Sequence, residues 1–267
     1  MNISTITTGF GAVIEGVNLN QPQPGDEIVL QKALLEHGVL VIRGQSLTPE
    51  QHVAASGLFG ELESFRAAPG QVPGLPQIFR LASRSGEGHL DVGRYWHSDG
   101  SFREEPTPIS IWHTVEMPEE GGATLFTDLR EAWRDLSADA KRQLAPIQTL
   151  HRNGVMHPLV MPHPYTGENG LYFNVGLTSE IVGQTPEQAS EFVGMLDRHL
   201  SRLGAVYQHD WRPGDVVVAD NFRVAHKATV ITSKFRRVLD RTTIAAGTAY
   251  RAYLERVEAL KAEATAA

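Results

Sequence analysis

The chain has 267 residues, enough for one domain or at most two, with a sizeable core that needs no disulfide. It contains no cysteine, which excludes a disulfide scaffold, a zinc–thiolate site, an iron–sulfur cluster and thiol catalysis. Its 24 lysines and arginines against 31 aspartates and glutamates give a formal net charge of −7. This charge disfavours a nucleic-acid partner, because nucleic-acid binders usually carry a basic face.

The first elements predicted along the chain are two helices and a strand. Apolar residues at close to helical spacing predict a helix over 26–37, which Gly38 ends. The short apolar run 39–42 then predicts a buried strand. The sequence Thr-Pro-Glu-Gln at 48–51 is typical of a helix start, with a threonine cap, a proline in the first position and a glutamine three residues after the cap.

Residues 63–94 are rich in glycine and proline and predict a long loop. A loop of this length in a compact domain usually has a function or is disordered. We expect an active-site lid, and an ordinary surface excursion is the open alternative.

Beyond this loop the chain predicts mostly strands, at 109–112, 171–173, 215–219 and 237–244. One amphipathic helix is expected after Thr185, and 249–267 is expected to form a helical tail. A few helices followed by many short strands indicate a single domain over 1–267. Its expected fold class is mainly β with flanking helices, as a β-sandwich or jelly roll.

No segment suggests a membrane partner or export. The first basic residue is Lys32, so the N-terminus lacks the positively charged start of a secretory signal. The longest stretch without charged residues, 153–167, contains prolines at 158, 162 and 164 and cannot be a membrane-spanning helix. We therefore expect a cytoplasmic protein.

The segment 95–102 contains candidate metal ligands. His97 and Asp99 are two positions apart and would point to the same face of a strand. With a second, distant histidine they would form the two-histidine, one-carboxylate triad of non-haem Fe(II) oxygenases. Alone the pair is weak support, because His89 and Asp91 share its spacing, and a solvated histidine beside an unrelated acid explains either pair.

A second group of candidates follows a turn at 213–215. A run of valines leads to His226, and then Arg237 and Arg241 would share one face of a strand. Two arginines that point into a packed interior are costly unless anions meet them. The alternative is an edge strand with both arginines in solvent.

Together these segments resemble the taurine dioxygenase family, which includes the 2,4-dichlorophenoxyacetate dioxygenases. The resemblance extends over residues 8–246 and rests on several motifs in the family's order, namely 96–102, 121–126, 171–174, 213–226 and the spacing of the two arginines. It implies a double-stranded β-helix, the cupin-like jelly roll. It also implies an enzyme that uses Fe(II), with 2-oxoglutarate and O₂ as cosubstrates, and by position the iron ligands are His97, Asp99 and His226.

The resemblance also implies roles around the cosubstrate. Thr124 and Arg237 match the residues that hold the distal carboxylate of 2-oxoglutarate, and a guanidinium suits a carboxylate because it binds bidentately. Arg241 matches an arginine near the substrate's acid group or the other end of the cosubstrate. The implied reaction forms succinate and CO₂ while a small, acidic organic molecule is oxidised. Because related halogenases lack the carboxylate ligand, Asp99 favours hydroxylation over halogenation.

The chain departs from the taurine-specific pattern. At 63–68 it lacks the histidine and tyrosine of taurine dioxygenases, and Gly93 stands where a polar residue is expected, so taurine is a doubtful substrate. Two other classes stay open: a catalytically silent jelly-roll protein that binds a metal or ligand, and a zinc hydrolase with the same triad. A binding module has no need for the three ligands together with Thr124 and Arg237, and the hydrolase gives no role to Thr124 and Arg237. The sequence leaves a homo-oligomer open.

Overall fold

The structure, a computed structural model, describes residues 1–266 except 8, 66–69, 91–92, 119–120, 203, 205 and 231–235. The described residues form the strands β1 Asn2–Thr7, β2 Phe10–Glu15, β3 Val39–Ile42, β4 Gln71–Val72, β5 Leu75–Ala82, β6 Ile109–Glu116, β7 Thr124–Asp128, β8 Gln148–His151, β9 Met156–Pro158, β10 Val160–Pro162, β11 Asn169–Leu171, β12 Thr178–Ile181, β13 Tyr207–His209, β14 Val216–Asp220, β15 Val224–Ala228 and β16 Val238–Thr243.

The helices are α1 Asp26–His37, α2 Pro49–Ser56, α3 Leu129–Arg134, α4 Ala138–Leu144, α5 Pro186–Arg202 and α6 Arg251–Ala266. Short 3₁₀ turns lie at Gly57–Phe59 and Arg152–Gly154. None of the helices in the described part of the chain is long and apolar enough to span a bilayer.

Two sheets face each other across a shared apolar core. The larger has the order β1-β2-β3-β14-β6-β16-β5-β4, and its neighbours are antiparallel except for β2 and β3. The smaller has the order β13-β7-β15. Trp112 of the larger sheet and Phe126 of the smaller pack edge to face between them, with ring centroids 6.2 Å apart. The architecture is mainly β with flanking helices, as predicted.

Helices cover the outer face of the larger sheet. Apolar residues of α1 pack there against β3 and β14, and Tyr250 at the start of α6 is fully buried in the same cluster. Both strands are buried on both faces, which explains their continuous apolar sequences. Two further small sheets have the orders β10-β11 and β12-β8-β9, and their residues Leu171 and Ile181 belong to a separate apolar cluster with residues of α3 and α5.

The local signals near the N-terminus are confirmed. The first helix and strand have the predicted bounds, and Gly38 ends the helix with φ +75°. The helix after Thr48 begins with a complete capping box, in which Gln51 N–H donates to the threonine hydroxyl and the Gln51 side chain accepts from the threonine N–H. The predicted helix after Thr185 is α5, with the same reciprocal bonds to Gln188.

Two predicted segments differ from the structure. Of the strand expected at 171–173 only Leu171 belongs to a strand, because Asn174 turns the chain by accepting the backbone N–H groups of Gly176 and Leu177. The segment 63–94 contains β4 and β5, where the sequence suggests a loop, because the edge of the larger sheet gives β5 a partner in β16. Residues 66–69 and 91–92 lie outside the described residues. The lid role stays a prediction.

Candidate active site

His97 and His226 are brought together by a single antiparallel β-bridge. His97 N–H donates to the His226 carbonyl at 3.1 Å, and His226 N–H donates to the His97 carbonyl at 2.8 Å. The imidazole centroids are 4.1 Å apart. His97 lies in no named strand, so this bridge, rather than a long strand, sets its orientation.

Asp99 completes the cluster. Ligand atoms of the three side chains all lie within 4.8 Å of one another, and His97 Nε2 is 3.9 Å from Asp99 Oδ1. His97 Nδ1 lies 2.8 Å from the Tyr95 carbonyl, which can only accept, so Nδ1 carries the proton and Nε2 is free to bind a metal. Across the described ranges this is the only such cluster of potential ligands found.

The electrostatics of the cluster suit a divalent cation. Burial lowers the pKa of both histidines, for His226 to about 3, so the imidazoles are neutral near pH 7. Burial by itself raises the pKa of Asp99, but Arg241 and then the two histidines outweigh it and hold that pKa well below its usual range. Two neutral imidazoles and one carboxylate form a donor set that fits Fe(II).

Two residues that no motif in the sequence indicates hold Asp99. Ser110 Oγ donates to Asp99 Oδ2 at 2.7 Å, and Asn221 Oδ1 accepts the Asp99 backbone N–H at 3.2 Å. Both side chains are buried. The available signal was a serine within the apolar run 109–112 and an asparagine directly after a buried strand.

Arg237 and Thr124 lie together although they come from different sheets: Arg237 directly precedes β16 of the larger sheet, and Thr124 begins β7 of the smaller one. Arg237 Nη2 is 3.5 Å from Thr124 Oγ1, and Trp211 Nε1 donates to the same hydroxyl at 3.0 Å. Thr124 pairs with Ala228, two residues from His226 along β15. The threonine therefore lies in the same sheet as a candidate ligand.

The Arg237 guanidinium is a buried cation with no acid beside it among the described residues. Its residue is 8% exposed, Nε has no hydrogen-bond partner, and the structure pairs it with no carboxylate of the described residues. Burial lowers its pKa to about 10, so it still carries its charge near pH 7. Such a cation needs an anion, and none of the described residues supplies one.

Arg241 contacts Asp99 and is largely shielded from solvent. Its Nη1 donates to Asp99 Oδ1 at 2.9 Å and to Oδ2 at 3.0 Å, while its buried Nε has no partner among the described residues. The guanidinium carbon lies 5.0 Å from the ring centroid of Phe79 and 6.0 Å from that of Phe65. This cation-π pair and the carboxylate fix the side chain beside the cluster.

The comparisons with known proteins agree with this geometry. The family described as taurine catabolism dioxygenase TauD, TfdA family matches residues 2–243. The (S)-phenoxypropionate/alpha-ketoglutarate-dioxygenase of Sphingobium herbicidovorans is 28% identical in an alignment that covers 91% of this chain and 94% of that protein. The alpha-ketoglutarate-dependent 2,4-dichlorophenoxyacetate dioxygenase of a Burkholderia species is 28% identical over 82% of this chain and 86% of its own. Alpha-ketoglutarate is another name for 2-oxoglutarate.

Solved structures share the fold. The crystal structure of a taurine dioxygenase from Burkholderia xenovorans has a TM-score of 0.82 at 31% identity and covers 92% of this chain and 89% of its own. The structure of AAD-2 with Mn(II) and N-oxalylglycine, at 23% identity, has a TM-score of 0.83 and covers 93% of this chain and 99% of its own. The chain belongs to the taurine catabolism dioxygenase TauD, TfdA family and is an Fe(II)- and 2-oxoglutarate-dependent dioxygenase with the jelly-roll fold and O₂ as its second cosubstrate.

Proposed function

We propose that this enzyme hydroxylates a small organic anion while 2-oxoglutarate is converted to succinate and CO₂. The observation that carries the proposal is the buried, charged Arg237, which has no carboxylate partner among the described residues and lies beside Thr124. The dicarboxylate cosubstrate would supply the missing anion.

Each side chain of the site then has a role. His97, Asp99 and His226 would hold Fe(II), whose open coordination positions would let it activate O₂ for the oxidation. Arg237 would bind the distal carboxylate of 2-oxoglutarate bidentately, and the Thr124 hydroxyl would add one hydrogen bond. Trp211 would keep that hydroxyl in place by donating to its oxygen.

The surroundings of Arg241 support an anionic substrate with an apolar part. Its Nε is a buried donor without a partner in the described chain, and Phe65 and Phe79 flank its guanidinium. The relatives reported above are named for phenoxypropionate and 2,4-dichlorophenoxyacetate, which are aromatic carboxylates. An acid group beside Arg241 and an apolar group against the phenylalanines would place a substrate carbon near the metal cluster.

A silent binding protein is the weaker alternative. Such a protein could use the His97, Asp99 and His226 cluster, but it would give no reason for a second, separately buried cation at Arg237. The same objection applies to a zinc hydrolase. A 2-oxoglutarate-dependent dioxygenase would use both the ligand cluster and the buried cation at Arg237.

The decisive experiment is an anaerobic titration of Fe(II) into metal-free protein with 2-oxoglutarate present. The titration is monitored through the visible metal-to-ligand charge-transfer band of the iron–2-oxoglutarate complex. The band is expected in the wild-type protein and should be lost in His97→Ala and Asp99→Ala. A matched control is His89→Ala, since His89 has the same two-residue spacing to an acid but lies outside the cluster. No band in a wild-type protein that binds iron would refute the cosubstrate role.

The substrate class is tested separately by measuring succinate formation with a panel of small acids and their neutral amides. Acids should stimulate succinate release and amides should not. Arg241→Gln should reduce the difference between the two. Equal stimulation by acids and amides would refute an anionic substrate while leaving the dioxygenase class intact.

A further inference from the structure

Asp99 lies in a closed ring of hydrogen bonds formed by three buried residues. Ser110 Oγ bonds to Asp99 Oδ2 at 2.7 Å, Asn221 Nδ2 bonds to Ser110 Oγ at 3.0 Å, and the Asp99 backbone N–H bonds to Asn221 Oδ1 at 3.2 Å. Ser110 is 0%, Asn221 0% and Asp99 9% exposed. The ring therefore has almost no contact with water.

The direction of every bond in the ring is determined by its chemistry. An ionised carboxylate can only accept, so the single Ser110 proton points to Asp99. The Ser110 oxygen must then accept from the Asn221 amide nitrogen, which leaves the Asn221 oxygen for the Asp99 N–H. The two ends of the Asn221 amide are thus assigned independently, and the reversed amide would break both of its bonds.

The hydrogen bonds to the Asp99 carboxylate leave only one of its acceptor sites free. A carboxylate offers about four lone-pair sites, two on each oxygen. Ser110 and Arg241 both donate to Oδ2, and Arg241 also donates to Oδ1 at 2.9 Å. One site on Oδ1 is left, and this oxygen is 3.9 Å from His97 Nε2.

We propose that Ser110, oriented by Asn221, is a positioning residue that makes Asp99 a one-oxygen ligand of the metal. Its bond occupies Oδ2 and turns Oδ1 toward the two histidines. A carboxylate that bound through both oxygens would take an additional coordination position, which 2-oxoglutarate and O₂ need. The inference rests on the proposed role of Asp99 as an iron ligand.

The test measures the metal itself. Co(II) is titrated into metal-free protein, and its affinity and visible absorption are recorded for wild type, Ser110→Ala and Ser110→Cys. Loss of a partner that orients a ligand typically costs 10–100-fold in metal affinity, so a loss of about tenfold or more is expected. The absorption per cobalt should fall as the freed carboxylate adds a second oxygen.

Two further variants separate positioning from packing. Ser110→Thr keeps the hydroxyl, is compatible with a strand, and should restore most of the affinity. Ser56→Ala removes another buried serine hydroxyl, which bonds to the His52 carbonyl and the Thr242 hydroxyl on the opposite face of the sheet. It should lower stability but leave Co(II) binding unchanged.

The outcomes distinguish this inference from the proposed function. Wild-type affinity and spectrum in the cysteine variant, in which a weaker donor replaces the hydroxyl, would overturn the role of Ser110 even if the alanine variant does not fold. Failure of the wild-type protein to bind Co(II) or Fe(II) would instead overturn the proposed metal site.

Discussion

Gly93 leaves room for the imidazole of His97. A Cβ at this position would lie 2.7 Å from His97 Cε1, closer than real side chains approach. Gly93→Ala should therefore displace the ring and weaken Fe(II) binding by about tenfold or more. Anaerobic titration of the metal-free variant measures this loss.

Gly86 provides the matched control for this substitution. Both glycines have positive φ, +77° at Gly93 and +84° at Gly86, but a Cβ at Gly86 would meet nothing within 4 Å. Gly86→Ala thus imposes similar backbone strain without the contact. Equal metal affinity in the two variants would mean that the ring of His97 tolerates the added methyl.

Arg237 and Arg236 are adjacent arginines in opposite environments. Arg237 is buried without an acid among its described neighbours, whereas Arg236 donates to Glu87 at 2.8 Å and also pairs with Glu116. Arg237→Gln should weaken 2-oxoglutarate binding about 30-fold or more, because a buried charged bond is typically worth about 2–5 kcal/mol. Arg236→Gln should change it little, as measured by the charge-transfer band at increasing cosubstrate concentration.

Although Arg237→Gln should weaken cosubstrate binding, it should stabilise the folded protein when no cosubstrate is present. A buried cation without a counter-charge opposes folding, so Arg237→Gln without cosubstrate is expected to unfold at a higher temperature than wild type. A lower unfolding temperature would indicate that an acid partner of Arg237 exists in the folded chain.

Among the elements, α2 places a histidine against the outer face of the larger sheet. His52 is fully buried, neither ring nitrogen has a hydrogen-bond partner in the described structure, and its ring centroid is 5.5 Å from that of His113. Burial, and then the nearby His113, lowers the pKa of His52 to about 3. Helix α2 therefore packs against the sheet through an uncharged imidazole.

This makes the contribution of α2 sensitive to acid. Between its ordinary pKa of 6.5 and about 3, His52 binds a proton in the unfolded chain but not in the folded one, so stability falls as pH falls through that range. From pH 7 to pH 5 this costs about 2 kcal/mol. His52→Leu should remove this acid-dependent loss of stability, as measured by urea unfolding at pH 7 and pH 5. His89→Gln, which replaces a partly exposed histidine, should not remove it. An unchanged pH dependence in His52→Leu would contradict the burial of a neutral ring.

β5 is a strand in a segment where the sequence predicts a loop. Its proline and its glycine-rich flanks suggest a loop, yet it pairs with β16 and places Phe79 opposite Arg241. Only the free edge of β16 makes this segment a strand. The predicted lid therefore contains, at 75–82, a strand that forms one wall beside Arg241.

In the whole molecule, Arg223 joins parts that are distant in sequence. Its guanidinium donates to Asp128 at 2.8 and 3.0 Å, to the carbonyls of Leu35 and Glu36 at the end of α1, and to the carbonyl of Gly9 between β1 and β2. Arg223→Met would remove the two short charged bonds to the buried Asp128, which would keep only the longer contact to Arg130 at 3.6 Å and the backbone N–H bonds at the start of α3. We expect a loss of about 3–5 kcal/mol in the free energy of unfolding.

Urea unfolding of the full chain measures this loss. Arg142→Met is the control, because Arg142 pairs with Asp139 on the exposed surface of α4, where such a pair is worth about 0–1 kcal/mol. Losses of similar size in the two variants would show that Arg223 does not join the two sheets and α1.

The sequence by itself determined the elements whose signals are local, such as the helix at 26–37 with its glycine stop and the capping box after Thr48. It also determined the fold class, and the resemblance of its ordered motifs to a known family implied the candidate ligands. These features depend on neighbouring residues or on motifs that keep their order along the chain.

Only the tertiary structure decided what surrounds those ligands. Asp99 and Arg241 are 142 positions apart, and Asn221 and Ser110 are 111 apart, so no local pattern relates them. Sheet pairing brings these side chains together, and burial then determines which partner each donor must take. The ring that orients Asp99 and the buried cation at Arg237, which lacks an acid partner in the described part of the chain, both follow from that packing.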